Sequence, residues 1–108
     1  MPYDHDLAAR IRRVLRRRAN ISERQMFGGL AFMYMGKMCC GIVGRDLMVR
    51  VLEKDMTSAL KHPHVRPMDF TGRPLRGFVY VAPQGVATDD SLRQWVLKGV
   101  SFVKHQAG

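Results

Sequence analysis

Three apolar runs that follow one another almost without interruption constrain the fold of this chain more than any other feature. They are Leu30–Met35, Met38–Val43 and Leu47–Leu52. Parallel strands need a crossover of about a dozen residues or more, and the connections here are far shorter, so the runs predict an antiparallel meander. Gly36-Lys37 predicts a tight type II′ turn, with glycine in the position that needs positive φ. Gly44-Arg45-Asp46 predicts a second short turn of the same kind.

The meander is apolar on both faces, whereas a sheet with one face in water alternates apolar and polar side chains. Phe32 and Tyr34 point to one face, while Ala31, Met33 and Met35 point to the other. Something must therefore cover part of the second face. We expect either a helix of this chain on each face or another molecule on the second.

The length, cysteine count and net charge of the sequence limit the class of protein. Its 108 residues predict one domain spanning 1–108, with a core from about 6 to 104. There is no signal-peptide pattern and no run of about eighteen apolar residues, so we expect a cytoplasmic protein without membrane contact. Two adjacent cysteines, Cys39 and Cys40, exclude a disulfide framework. The net charge of +9 favours an acidic partner such as nucleic acid.

The N-terminal segment predicts an amphipathic helix from about Asp6 to Ala19, capped by Asp4 or Asp6. Four apolar residues recur at helical spacing and form one stripe: Leu7, Ile11, Val14 and Leu15. Arginines fill most other positions, and because arginine forks match phosphate oxygens, four are candidate nucleic-acid contacts: Arg12, Arg13, Arg16 and Arg17. The alternative is a solvated basic face. Membrane docking is disfavoured because the core needs the apolar stripe.

The second half of the chain predicts a short helix followed by strands. Leu52–His62 predicts the helix, which Pro63 ends, and His62–Pro67 predicts a loop. Met68–Phe70 and Phe78–Val81 predict further strands.

A closing helix completes the predicted fold. Thr88 or Asp89 is its cap, and Trp95 anchors its core-facing stripe. Together the elements predict an α+β fold, in which an antiparallel sheet of four to five strands is flanked by an N-terminal and a C-terminal helix. A short helix lies in the middle of the chain.

Residues that carry chemistry do not converge in the sequence. Cys39 and Cys40 are adjacent on a predicted strand and should point to opposite faces, so they cannot chelate one metal ion. His62 and His64 lack two further ligands, and Asp69 is better explained as a turn cap. We therefore expect no metal, no cofactor and no enzymatic activity. An enzyme or small-molecule binder of unknown type, which needs a deep pocket, is the remaining alternative.

Several short motifs together resemble one known domain family. The first block contains Met26-Phe27-Gly28-Gly29, then Gly36-Lys37, then DLMVRV at Asp46–Val51. The second block is PMDFTGRP, which includes Gly72 and Pro74, followed by GFVYV. These motifs, within about residues 8 to 103, resemble the N-terminal domain of the TfoX/Sxy competence-regulator family.

The resemblance implies an antiparallel sheet with flanking N-terminal and C-terminal helices, in agreement with the elements above. It also implies a bacterial positive regulator of competence genes, which acts beside a cyclic-AMP-dependent activator at promoters and not as an enzyme. The best-known members carry a second, helical C-terminal domain, which is not found in these 108 residues. The motif is mostly glycine and apolar, so it is a fold signature and transfers no catalytic or ligand-binding residue.

We therefore expect a regulatory or adaptor domain that works through protein contacts, with the transcription machinery as partner and DNA nearby. Three methionines of the apolar meander are the candidate partner surface: Met33, Met35 and Met48. A homodimer formed through an open sheet edge is a related expectation. The alternative is direct, nonspecific nucleic-acid binding through the arginine-rich first helix.

Overall fold

Six strands in the described part of the chain form one antiparallel sheet, against which three helices pack. The computed structural model describes residues 3–26, 28–70 and 73–107, and the side chains of residues 69, 70, 73–76 and 107 lie outside this description. In chain order the elements are α1 (His5–Leu15), β1 (Ile21–Met26), β2 (Gly29–Tyr34), β3 (Lys37–Val43), β4 (Asp46–Arg50), a 3-10 turn (Glu53–Asp55), α2 (Met56–Leu60), β5 (Val65–Phe70), β6 (Arg73–Val81), a second 3-10 turn (Pro83–Val86) and α3 (Asp89–Ala107). No helix among these residues is long and apolar enough to cross a membrane.

The strand order across the sheet is β1-β2-β3-β4-β6-β5, and every neighbouring pair is antiparallel. The meander predicted over β2, β3 and β4 is confirmed, as is the α+β class. The predicted count of four to five strands is too low, because the sequence does not predict β1. The four central residues of β1 are polar and exposed, since an edge strand has a neighbour on one side only.

The first turn of the meander lies one residue earlier than predicted. Tyr34 pairs with Lys37, so the turn residues are Met35 and Gly36. Both have positive φ, 54° at Met35 and 80° at Gly36, as a type I′ turn requires. The predicted type II′ turn is therefore wrong, and a methionine takes a conformation that usually favours glycine or asparagine.

Other local features agree with the sequence-based predictions. Gly44 has φ of 61° at the head of the β3–β4 turn. Asp4 caps α1, because its carboxylate accepts hydrogen bonds from two N–H groups of the first turn at 2.9 and 3.1 Å. Thr88 caps α3, since its hydroxyl oxygen accepts a hydrogen bond from the N–H of Ser91 at 3.1 Å.

Several predicted boundaries are wrong. Helix α1 ends at Leu15 rather than Ala19, because residues 16–20 form turns and bends. The 3-10 turn and α2 together are shorter than the predicted helix Leu52–His62. Strand β5 starts inside the predicted loop and contains Pro67, which an edge strand tolerates because it has no second neighbour to bond. Strand β6 is longer than predicted at its N-terminal end.

A β-bulge in β3 overturns the prediction that Cys39 and Cys40 point to opposite faces. Phe32 pairs with Cys40. The next pair is Met33 with Met38, which leaves Cys39 as the extra residue in the ladder. Both cysteines are buried in the same core cluster, and their Sγ atoms are 3.9 Å apart.

All three helices pack on one face of the sheet. Their buried residues share one core cluster with alternate residues of β2 and β4. The other face holds a smaller cluster of Met48, Met68 and Tyr80, to which no described helix contributes. The expectation of a helix on each face is therefore wrong. The Met48 side chain lies instead across Gly41, where its Cε is 2.6 Å from the position that a Cβ would take.

Candidate interaction surface

The arginine-rich face of α1 contains both paired and unpaired side chains. Arg12 donates hydrogen bonds from Nε and Nη2 to the two carboxylate oxygens of Glu23 on β1, both at 2.7 Å. These bonds hold the pKa of Glu23 below its ordinary value and raise the pKa of Arg12. Arg10 donates to the carbonyl oxygen of Val86 at 2.8 Å and lies 3.5 Å from Asp89. Arg12 thus links α1 to β1 and is not free to meet a ligand.

The other three candidate arginines have no partner among the described residues. Arg13, Arg16 and Arg17 are exposed, and none of them has a hydrogen bond or salt bridge to another described residue. We call these three side chains the arginine cluster. They lie at the C-terminal end of α1 and in the turn that follows, where the helix dipole favours positive charge. The Arg12–Glu23 pair brings this end of α1 against β1.

Strand β1, to which Arg12 of α1 is joined through Glu23, is an open edge of the sheet. Its outward backbone groups have no hydrogen-bond partner within the described ranges of the chain. The opposite edge, β5, is blunted by Pro67 and by a register shift beside it. β1 has neither feature, so it is the edge that can accept a further strand.

The three candidate methionines do not form one surface. Met48 is only 1% exposed and packs with Met68 and Tyr80. Met35 is 51% exposed but lies in the β2–β3 turn, and Met33 is half-buried on β2. Met48 therefore belongs to the core of the second face, and only Met33 and Met35 remain accessible to a partner.

The motif residues that carry the resemblance serve the fold. A Cβ on Gly29 would overlap the carbonyl oxygen of Ile42, so β2 approaches β3 too closely for any side chain there. Gly36 supplies positive φ to the first turn. Met26 ends β1, Gly28 precedes β2 and Lys37 begins β3. Phe27, Gly72 and the side chain of Pro74 lie outside the described residues.

The described titratable side chains do not form a metal site. Within residues 3–26, 28–70 and 73–107, no three described His, Cys, Asp or Glu side chains are close enough to hold a metal ion. His62 packs edge-on against Trp95, with ring centroids 5.3 Å apart. Hydrogen bonding with Cys39 and burial raise the pKa of the Cys40 thiol, which keeps it protonated and unreactive. The side chain of Asp69 is not among those described.

One side chain that the sequence does not single out is Arg50. It lines a cleft of about 760 Å³ together with Lys54, Phe102 and His105, between the end of β4 and the C-terminal end of α3. The signal that could have found it is a single charge inside an apolar run, Leu47–Leu52, on the face where Met48 is buried. We call this space the Arg50 cleft.

Comparison with known families gives one match. A model of the TfoX N-terminal domain matches residues 13–103, which extend from the last turn of α1 almost to the end of α3. Comparison with curated proteins and with solved structures gives no significant match. The match includes both motif blocks and the whole sheet, so the resemblance stated from the motifs is confirmed. The chain therefore belongs to the TfoX N-terminal domain family.

Proposed function

We propose that this domain is a non-enzymatic regulator of the competence type that works at DNA through contacts with phosphates and with a protein partner. Membership of the TfoX N-terminal domain family supports the regulatory role. The observation that carries the DNA contact is the arginine cluster, whose three charges have no acid within salt-bridge distance among the described residues.

Electrostatics favours phosphate as the ligand of the arginine cluster. The chain has a net charge of +9, which attracts polyanions over distances of about a Debye length. Arg13, Arg16 and Arg17 add exposed guanidinium forks, which bind phosphate oxygens in pairs. Interactions of this kind carry no base information, so the expected binding is independent of DNA sequence.

The open edge of β1 is the candidate contact for protein. A strand of the transcription machinery, or β1 of a second copy of this chain, would extend the sheet by backbone hydrogen bonds. The net charge of +9 favours an acidic partner strand over a basic one.

Fluorescence anisotropy with a labelled DNA duplex across a series of salt concentrations tests the DNA contact. The test variant is R13Q/R16Q/R17Q. The matched control is K37Q/R45Q/K61Q. It removes three other exposed charges that have no partner among the described residues, and so produces the same net charge. We expect the test variant to bind more weakly and to reduce the slope of log K against log salt by up to about 0.9 for each phosphate that is no longer neutralised. The control should keep most of the slope.

Equally weakened binding in the two variants would refute the arginine cluster as the DNA surface, because it would mean that only net charge matters. Absence of DNA binding by the parent protein near physiological salt would also refute the arginine cluster as the DNA surface. Either result would leave the β1 edge as the surface through which the regulatory contact is made, with protein as its only partner.

A further inference from the structure

Arg50 is a half-buried cation that the rest of the described chain leaves without a hydrogen-bond acceptor. It is the last residue of β4 and pairs with Phe78 on β6. Its Cζ atom lies over the rings of Phe78 and Phe102, at 5.0 and 4.4 Å from the two centroids. Among the described residues, the buried Nε has no hydrogen-bond partner and no carboxylate lies within salt-bridge distance of Arg50.

The aromatic contacts explain only part of this arrangement. A ring face attracts the positive charge but does not replace an oxygen acceptor for the N–H groups in the plane of the guanidinium. Buried donors in native proteins nearly always have an acceptor, and buried charges are normally paired. Nε itself is enclosed, but Arg50 also lines a cleft, so its terminal Nη groups are the donors that an acceptor on a ligand in the cleft would meet.

The Arg50 cleft has the size and the polar groups of a small-molecule site. Its volume is about 760 Å³, which lies within the usual range of roughly 300–1,000 Å³ for such sites. Lys54, Thr57 and His105 line it with hydrogen-bonding groups, and Glu53 is the one acid among the described residues of the lining. Arg50 and Lys54 together outweigh Glu53, so the lining carries net positive charge even with His105 neutral.

We infer that the Arg50 cleft binds a small organic phosphate monoester, with the phosphate held by Arg50 and Lys54. An arginine fork binds two phosphate oxygens, and a lysine ammonium adds a point charge that suits a dianion. The hydroxyl of Thr57 is a further donor for the third oxygen. Met56 and Phe102 give the organic part of the ester an apolar wall. The site goes beyond the proposed DNA contact and shares no residue with the arginine cluster.

The test follows the Arg50 Nε–Hε resonance of the uniformly ¹⁵N-labelled chain while phenyl phosphate is added. We expect a saturable shift of this resonance, with a dissociation constant at or below about 1 mM for so small a probe. Arg50→Lys assigns the resonance by removing it. The arginine-cluster variant R13Q/R16Q/R17Q should bind phenyl phosphate as the parent does, so failure of the DNA contact and failure of this site are distinguishable.

Two variants and one control locate the site. Lys54→Gln, at an exposed position, should weaken binding at least about tenfold because it removes a charged hydrogen bond to the phosphate. Arg50→Lys should do the same or more, and Lys54→Gln carries the test if the Arg50 variant does not fold. Lys98→Gln, an exposed charge on α3 outside the cleft lining, should leave binding unchanged. Full affinity in the folded Lys54 variant would overturn the assignment.

Two further probes define the ligand class. Benzoate should bind much more weakly than phenyl phosphate, and equal binding would overturn the phosphate assignment in favour of a carboxylate. Inorganic phosphate should also bind more weakly, because it lacks the group that fills the apolar part of the cleft. If inorganic phosphate bound as tightly as phenyl phosphate, the assignment of an ester as the ligand would be wrong. If none of the probes bound, the Arg50 cleft would not be a binding site.

Discussion

Replacing Gly99 with alanine tests how α3 is seated on the sheet. A Cβ at this position would overlap the carbonyl oxygen of Cys39 and would lie 2.8 Å from its carbonyl carbon. Cβ atoms in real proteins essentially never approach another heavy atom to below 3.0 Å, so either the helix or the bulge must move. Both colliding atoms belong to the backbone, which cannot turn aside as a flexible side chain would.

The cost can be estimated from what α3 buries. Its buried side chains include Leu92, Trp95, Val96 and Val100, all in the main core cluster. A gap of 0.5–1 Å forfeits about a quarter to a half of the dispersion energy between facing atoms. Overpacking costs roughly 1–3 kcal/mol and occasionally more, while alanine gains about 1 kcal/mol over glycine in a helix interior. Because backbone atoms collide, we take the upper end of this range, about 3 kcal/mol, and after the gain from alanine we expect a net destabilisation of about 2 kcal/mol.

Urea unfolding followed by far-UV circular dichroism measures this destabilisation. In thermal unfolding the matching fall in Tm is roughly 8–16 °C for a domain of this size. Ser101→Ala is the control, because Ser101 is exposed on the same helix and its replacement should change stability by less than about 0.5 kcal/mol. A Gly99→Ala protein at least as stable as the parent would refute the close approach of α3 to the bulge.

Two further predictions concern stability. Met35→Asn should stabilise the protein by about 0.5–1 kcal/mol in urea unfolding, because asparagine adopts the positive φ of the type I′ turn more easily than methionine. A decrease in stability would mean that this turn is wrongly described. Glu23→Gln should destabilise by less than about 1 kcal/mol at pH 7, because the Arg12–Glu23 pair is at the surface. The pKa of Glu23 is lowered in the folded state, so the stabilisation by the ion pair is present above the ordinary pKa of 4.5. It is lost as the pH falls through the lower pKa of the folded protein. If Glu23→Gln destabilised the protein at about pH 2 as much as at about pH 7, the ion pair could not be the origin of the effect.

Features set by neighbouring residues could be predicted from the sequence. The meander follows from apolar runs and the short turns between them, and the caps at Asp4 and Thr88 follow from side chains beside the first helical turn. The first turn differs from its predicted position by one residue because positive φ at Met35 contradicts the local preference of methionine. The register of β2 and β3, in which Tyr34 pairs with Lys37, outweighs that preference.

The candidate sites depend more on distant contacts. The sequence identifies Arg12, Arg13, Arg16 and Arg17 alike, but the pairing of Arg12 with Glu23 joins two elements and cannot be inferred from helical spacing. The sequence does not single out Arg50 at all, because its missing acceptor and its aromatic neighbours emerge only when β4, β6 and α3 come together.

The sequence by itself determined the α+β class, the antiparallel meander, the family and the basic charge, because each depends on residue identity and on spacings of a few residues. Only the tertiary structure decided which thiols and methionines are buried, which arginines are free and which sheet edge is open. The bulge at Cys39, for example, turns both cysteines into one core through a register shift between two strands, which no local pattern encodes. Burial and pairing are properties of surfaces that meet from distant parts of the chain, so they are fixed only when those surfaces are in contact.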